Sequence, residues 1–154
     1  MTPLSPRDHG RSATSGGRVP TTTAVGGVLG RVGRVTAAGV GLLAAALARA
    51  DGAACEVRDV DVAGTTVRLR VCHSARGRTF ARGGTTYGDT YVTGSHPRTR
   101  ADDRLRHEAV HVLQWQRWGP LLPLLYGLAE LRAGGDPTRN RFEAAAGLRD
   151  GGYA

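Results

Sequence analysis

The chain has no lysine and few aromatic residues, and both shortages bear on its partners. All 21 basic residues are arginine, aromatic residues make up 5% of the 154 residues, and the formal net charge is +8. The arginines are scattered among Asp, Gly and Thr, with no basic run and no nucleic-acid-binding motif. We therefore expect no nucleic-acid partner, and a solvated basic surface that leaves contact with anionic lipid open.

Cysteine is scarce as well. The two cysteines, Cys55 and Cys72, do not form a C-x-x-C pair, which argues against a thiolate zinc knuckle. Both fall in segments that read as strands of one hairpin, so a disulfide between them is feasible. We favour two buried free thiols unless the domain is exported.

Long apolar runs are also missing. Residues 1–34 are rich in Gly, Ser, Thr, Pro and Arg and are predicted to be a disordered arm. Residues 35–50 form an apolar helix, shorter than the roughly 20 residues that a comfortable membrane span needs. Ala48-Arg49-Ala50 has the form of a signal-peptide cleavage site, so this helix is signal-like, membrane-associated or packed on the domain. Localisation stays open between membrane association or export and the cytoplasm.

Residues 51–154 are predicted to be one small α+β domain. Alternating valines in 55–72 around Gly64 predict a β-hairpin, and the Thr- and Tyr-rich segment 85–93 predicts a third strand. A helix from an N-cap at Thr99 to a C-cap at Gly119 follows. Two further helices are expected, over 121–132 and 141–148.

The central helix carries the most informative pattern, His107-Glu-Ala-Val-His111, which matches H-E-x-x-H. Positions i and i+4 share one helix face, so His107 and His111 can bind one ion. Glu108 lies beside them, where a general base can take a proton from a metal-activated water. With five His and four Glu in the chain, chance yields this pattern in fewer than about one chain in a hundred. The alternatives are ordinary surface residues and a metal site without hydrolysis.

A catalytic zinc usually has three protein ligands, and the H-E-x-x-H pattern supplies two of them. We favour Glu143, although Asn140-x-x-Glu143 is itself a capping box. Glu130, a carboxylate among leucines, is the second choice. Gln114 and Arg117 stand where the three-histidine pattern needs Gly and His, which excludes that pattern. His73 and His96 are outside candidates that read as surface loop residues.

The segment from about Thr85 to Tyr153 resembles small zincin-like proteins of GC-rich bacteria, with a gluzincin-type arrangement. The residues that carry the resemblance are His107-Glu-Ala-Val-His111, Gln114, Arg117-Trp-Gly-Pro120, Gly135-Asp-Pro137 and Asn140-Arg-Phe-Glu143. The resemblance implies a minimal zincin-like domain, in which His107 and His111 are ligands and Glu108 is the base. It implies Glu143 as the third ligand.

These observations favour a zinc-dependent peptide hydrolase that acts on a peptide or protein substrate. Tyr87 and Tyr91 are conceivable oxyanion donors or packing residues, and Trp115 could shape a pocket. The alternative is a non-catalytic domain: either zinc stabilises a small fold, or a membrane-peripheral interaction domain carries a vestigial motif. A membrane surface is a possible partner, and the oligomeric state is open.

Overall fold

The structure is a computed structural model that describes residues 23–76 and 83–153. Three short 3-10 turns, each placed just before a helix, supplement the main elements. The predicted α+β class is confirmed: a small sheet precedes the H-E-x-x-H helix and two further helices, and an apolar helix stands at the N-terminal side. In this part of the chain the helices and strands are α1 (Thr23–Ala50), β1 (Ala54–Val62), β2 (Thr65–His73), β3 (Gly84–Tyr87), β4 (Thr90–Thr93), α2 (Asp102–Trp118), α3 (Leu122–Ala133) and α4 (Arg141–Ala146).

The strands form one sheet in the order β1-β2-β4-β3. β1 and β2 are the predicted antiparallel hairpin, whereas β2 and β4 pair in parallel. The single third strand predicted over 85–93 was wrong, because the chain turns at Gly88 (φ +62°) and returns as a second antiparallel pair, β3 with β4. β3 therefore becomes an edge strand of the sheet, beside α2.

The two cysteines are joined by a disulfide, so the preference for free thiols was wrong. The β1–β2 register places Cys55 directly opposite Cys72, with their Cα atoms 4.0 Å apart. The sequence separation of 17 corresponds to about 3 kcal/mol of loop-closure stabilisation in the chain-entropy account. The disulfide links the two strands of the β1–β2 hairpin at the end where β2 pairs with β4.

α2 lies across one face of the sheet. The alternation predicted for β2 is observed, with Val67, Leu69 and Val71 buried. The apolar side of α2 closes this core and holds the helix at a fixed angle to β3. The buried members of the cluster are Val60, Val67, Leu69, Val71, Tyr91, Leu105, Ala109 and Val112.

The ends of α2 agree only in part with the sequence signals. Gly119 ends the helix with a positive φ of 51°, as expected of a C-cap glycine. The predicted N-cap at Thr99 was wrong: the Thr99 hydroxyl donates to the His96 carbonyl inside a 3-10 turn, Pro97–Arg100. The α-helix begins at Asp102, and Ala101 caps it without a side-chain hydrogen bond.

α1 begins at Thr23, so residues 23–34 are helical and the arm predicted over 1–34 was wrong for them; residues 1–22 lie outside the described part. Glycines made this stretch look unsuited to a helix, and one of them, Gly33, packs closely against Gln116 of α2. Thr90 donates to the Gly41 carbonyl (2.9 Å), and the Asp89 amide reaches the Ala37 carbonyl (3.3 Å). The buried face of α1 is a stripe of small residues: Gly33, Ala37, Gly41, Ala45 and Ala48.

The outer face of α1 is apolar and exposed. Among the described residues, one segment, Gly30–Ala50, has the length and mean hydropathy (1.3) that would suit a membrane span. Only 28% of that window is buried against the domain. The helix is therefore packed along one side and open along the other.

Because α1 packs closely against α2, we expect two glycine substitutions in α1 to change stability in opposite directions. In Gly33→Ala, the new Cβ would lie 1.9 Å from the Gln116 carbonyl oxygen, so we expect destabilisation by about 1–3 kcal/mol. In Gly39→Ala, the Cβ meets nothing within 4 Å, and a better helix former should stabilise by about 0.5–1 kcal/mol. Urea unfolding followed by circular dichroism measures both, and equal effects at the two positions would contradict this packing.

Candidate metal centre

Three potential ligands converge where α2 meets α4. His107 and His111, one turn apart on α2, bring their Nε2 atoms to 3.2 Å of each other. From α4, Glu143 places Oε2 3.2 Å from His107 Nε2 and Oε1 3.7 Å from His111 Nε2. One ligand atom from each residue lies within 4.8 Å of the others. The structure thus brings together the three residues proposed as ligands, and this buried group can hold a metal ion.

The hydrogen bonds on the far sides of both rings fix their tautomers. His107 Nδ1 faces the Gly147 carbonyl at 3.0 Å, so it must carry a proton there. His111 Nδ1 faces Gln114 Oε1 at 2.9 Å. The Gln114 amide cannot be reversed without loss, because its Nε2 donates to the Phe142 carbonyl at 3.0 Å. In the neutral rings, both Nε2 atoms are therefore bare lone pairs.

Two lone pairs and a carboxylate aimed at one buried point require a positive charge between them. Within residues 23–76 and 83–153, no conventional hydrogen bond satisfies Oε2 of Glu143. Outer partners that fix the tautomer and orientation of a histidine are the usual support of a metal-binding imidazole. The residues present therefore fit a metal ion by the chemistry of their atoms.

Glu143 reaches the histidines because other groups cap its helix. The side chain of Asn140 accepts from the Phe142 amide (3.0 Å), which caps the start of α4. The capping-box alternative for Glu143 was wrong, since its carboxylate points to the imidazoles instead. The Tyr126 hydroxyl, from α3, donates a short hydrogen bond to Oε1 of Glu143. Burial and the Glu143 charge raise the pKa of Tyr126, so the phenol remains a donor.

Glu130 and the other histidines lie elsewhere. Glu130 accepts from Asn140 Nδ2 at 2.8 Å and so braces the start of α4 from behind. His73 contacts Ser74, and His96 caps the 3-10 turn before α2. None of these three joins the group that could hold a metal.

Glu108 is buried between α2 and the edge strand. Its Oε2 accepts from the Thr86 hydroxyl at 2.6 Å, and Oε1 lies 2.6 Å from Arg104 Nη2. Arg104 also donates to the Gly151 carbonyl at 2.7 Å. Burial alone lowers the pKa of Arg104, but the negative charge of Glu108 outweighs it and raises the pKa above its usual value. Glu108 is thus held beside the ligands by a charged partner and a hydroxyl.

A cavity of about 490 Å³ opens over the site. β3 forms one wall and α3 another, and the ligand group and Glu108 also line the cavity. Trp115 shapes it, donating its indole N–H to the Thr86 carbonyl at 3.1 Å. Tyr87 lines the cavity, whereas the Tyr91 hydroxyl donates to the Gly83 carbonyl and Tyr91 is fully buried. Tyr91 is therefore a packing residue rather than an oxyanion donor.

Sequence reasoning missed the supporting residues. Arg104 had a signal, since it stands one turn before Glu108 on the predicted helix. Tyr126 had a weaker one, as a hydroxyl among leucines. Tyr153 and the C-terminal turn had none: Gly151 lies so close to the His107 ring that a Cβ would approach its Cε1 to 2.6 Å. The Tyr153 ring also lies against His107, with centroids 5.9 Å apart.

Comparisons of the chain with protein-family models, curated proteins and solved structures find no match. The zincin-like resemblance thus stays a prediction.

The position of Glu143 predicts that two neighbouring carboxylates differ in their effect on metal affinity. Glu143→Ala removes one of three converging ligand atoms, so Zn²⁺ affinity should fall more than the roughly 10–100-fold typical of losing an outer partner. Glu130→Ala is the matched control: it removes a partner of Asn140 at the start of α4, so any loss of affinity should stay within that range of about 10–100-fold. Competition with a chromophoric chelator measures both. Equal losses in the two variants would show that Glu143 is not a ligand.

The same group predicts how stability depends on pH when metal is removed by chelation. Burial alone lowers the pKa of His111, but Glu143 and Glu108 outweigh it and raise the pKa above 6.5. Burial alone raises the pKa of Glu143, but the two imidazoles, which can donate to it once an Nε2 atom is protonated, and the charge of His111 hold that pKa far below its ordinary value. The His111 contribution is complete below pH 6.5 and lost as the pH rises through the folded pKa. The Glu143 contribution is present above its ordinary value of 4.5.

The unfolding temperature of chelated protein should therefore be highest between about pH 5 and 6.5 and should fall toward pH 8.5. Zn²⁺-loaded protein should show the reverse trend, because protons compete with the metal for the imidazoles. Thermal unfolding across this range is the measurement, with His111→Gln as the control that flattens the alkaline limb. A chelated wild type with no loss of stability above pH 6.5 would contradict the assignment.

Proposed function

We propose that the chain is a zinc-dependent peptide hydrolase. The observation that carries the proposal is the meeting of His107, His111 and Glu143 beside Glu108, on the wall of one cavity. Two imidazoles and one carboxylate are the ligand set of many catalytic zinc sites, which keep a further position open. Magnesium and calcium prefer oxygen ligands, so the two nitrogen atoms favour zinc.

A bound zinc ion would polarise the scissile carbonyl and make water a nucleophile near neutral pH. Glu108 would serve as the general base and pass the proton to the leaving amine. Arg104 holds Oε1 and Thr86 holds Oε2, so the carboxylate is already oriented before substrate arrives. Each oxygen of a carboxylate keeps a second lone pair that can accept the proton.

The edge strand β3 suits an extended peptide. Gly84, Thr85, Thr86 and Tyr87 line the cavity, and β3 pairs with β4 on one side only. A peptide laid along the other side would add a strand and present its backbone to the site. The apolar wall from Trp115 and Leu122 favours an apolar side chain next to the cleaved bond.

A second candidate function is a domain in which metal only stabilises the fold. The observation that favours it is the engagement of both Glu108 oxygens, with 2% of the side chain exposed. In that case the Arg104–Glu108 pair would be a structural brace between α2, β3 and the C-terminal turn. The variant Glu108→Gln distinguishes the two candidate functions.

Glu108→Gln should keep about one zinc per chain, because the three ligands are untouched. It should lose peptide cleavage by about 10²–10⁴-fold, as expected when a general base is removed. A quenched fluorescent peptide library, incubated with zinc-loaded protein, supplies the turnover assay, and atomic absorption gives the metal content. Glu130→Gln is the control, since it changes a carboxylate outside the cavity.

Two results would contradict the proposal of a hydrolase. One is native protein that does not retain zinc. The other is zinc-loaded wild type that cleaves nothing in the library while zinc raises its unfolding temperature, which would assign the site to the stabilising role.

A further inference from the structure

Two helices leave large aliphatic side chains in solvent. On α1 these are exposed by half or more, and on α3 Leu124 and Leu131 reach 70% and 81%. Single exposed leucines are ordinary, but contiguous apolar faces mark interaction surfaces. We call the following residues the apolar face: Val32, Val35, Leu42, Leu43, Leu47, Leu121, Leu124, Leu128 and Leu131.

The two helices meet through their buried sides in one hydrophobic cluster. Ala37 and Val40 of α1 belong to the same hydrophobic cluster as Leu122 and Leu125 of α3. The turn that carries Leu121 packs on α1, and a Cβ on Gly119 would lie 3.3 Å from the Gly33 Cα.

The charges around this face have one sign. α1 contains no acidic residue, and between 117 and 133 the one acidic residue is Glu130, which bonds to Asn140. Every exposed charged residue in 31–50 and 117–133 is an arginine: Arg31, Arg34, Arg49, Arg117 and Arg132. The exposed Glu56–Arg58 and Asp59–Arg68 pairs lie on the β1–β2 hairpin instead. Exposed apolar side chains on helices whose exposed charges are all arginine complement an anionic lipid surface.

A span by α1 does not agree with its contacts. Midway along the helix, the Gly41 carbonyl accepts from Thr90, and a Cβ on Gly41 would lie 1.9 Å from Asp89 Oδ1. Asp89 is in turn 3.4 Å from Arg70 Nη1. A helix with an ion pair against its midpoint cannot enter the hydrocarbon core with that pair. α1 can therefore meet lipid with its outer side only.

We infer that the apolar face docks the domain, in the plane of the interface, on a bilayer that contains anionic phospholipid. A second copy of the chain is a poorer occupant, because it would bring the same ring of arginines against this one. The surface lies next to the cavity: Pro123 and Gly127 of α3 line the cavity, while Leu124 and Leu128, the next residues along, are exposed. Docking would hold the cavity mouth beside the membrane.

The test uses the full chain loaded with zinc and needs no substrate, so its outcome is independent of the hydrolase proposal. Binding is measured by cosedimentation with vesicles of phosphatidylcholine alone or with about one-third phosphatidylglycerol. Leu124→Ser with Leu131→Ser should weaken partitioning to both by at least about tenfold. Val57→Ser, an aliphatic residue on β1 that is 53% exposed, is the matched control and should not.

Charge is tested separately. Arg117→Gln with Arg132→Gln should weaken binding to the anionic vesicles by about fivefold for each arginine, and this loss should shrink at high salt. Arg58→Gln with Arg68→Gln, on the hairpin, is the control of equal net charge and should bind nearly as wild type. Equal losses in the two charge variants, or binding without preference for anionic lipid, would overturn the inference. So would self-association in light scattering that disappears in the leucine variant, which would assign the face to a second copy.

Discussion

The two Nε2 atoms, 3.2 Å apart, and the carboxylate of Glu143 impose the strongest electrostatic demand in the domain. Each is electron-rich and each is buried. The hydrogen bonds at Gly147 and Gln114 place the proton of each neutral ring on Nδ1, so that proton cannot lie between the two Nε2 atoms. A cation bound there would therefore contribute to the fold as well as to any chemistry. The elements arrive at this point from three directions: α2 with the histidines, α4 with the carboxylate, and the C-terminal turn that backs His107. Their convergence makes metal content and folding stability coupled quantities.

Glu108 belongs to a second, separately charged layer. Arg104 and Thr86 neutralise and orient it on the side of α2 that faces β3, away from the Gly147 and Gln114 contacts of the ligands. Since Arg104 also holds the Gly151 carbonyl, the strand edge, the base and the C-terminal turn share one guanidinium. The two groups differ in how their charge is compensated. The ligand group would be compensated by a bound cation, whereas Arg104 compensates the charge of Glu108 within the chain.

Local signals in the sequence were sufficient for the hairpin, the H-E-x-x-H helix, its glycine C-cap and the three residues that converge. The hairpin and the two histidines depend on contacts within one strand pair or one helix turn, whereas Glu143 was favoured because its helix could pack beside α2. The start of α1, the turn at Gly88 and the disulfide depend on distant partners instead. Gly33 is suited to its place because the Gln116 backbone leaves no room for a Cβ, and Cys55 meets Cys72 only in the observed register. Tyr126 and Tyr153 reach the site through tertiary packing, which no spacing rule predicts.

The small-residue stripe of α1 has a consequence for how the chain can be shortened. Ala45 and Ala48 share a buried cluster with Ala53, Cys72 and Val92, and Ala37 shares another with Trp115 and Phe142. A cut near Ala50 would uncover the sheet at the disulfide and the back of the helix that carries the histidines. The first helix is therefore a wall of the domain that carries the three converging residues, and a fragment that begins after it would expose this interior.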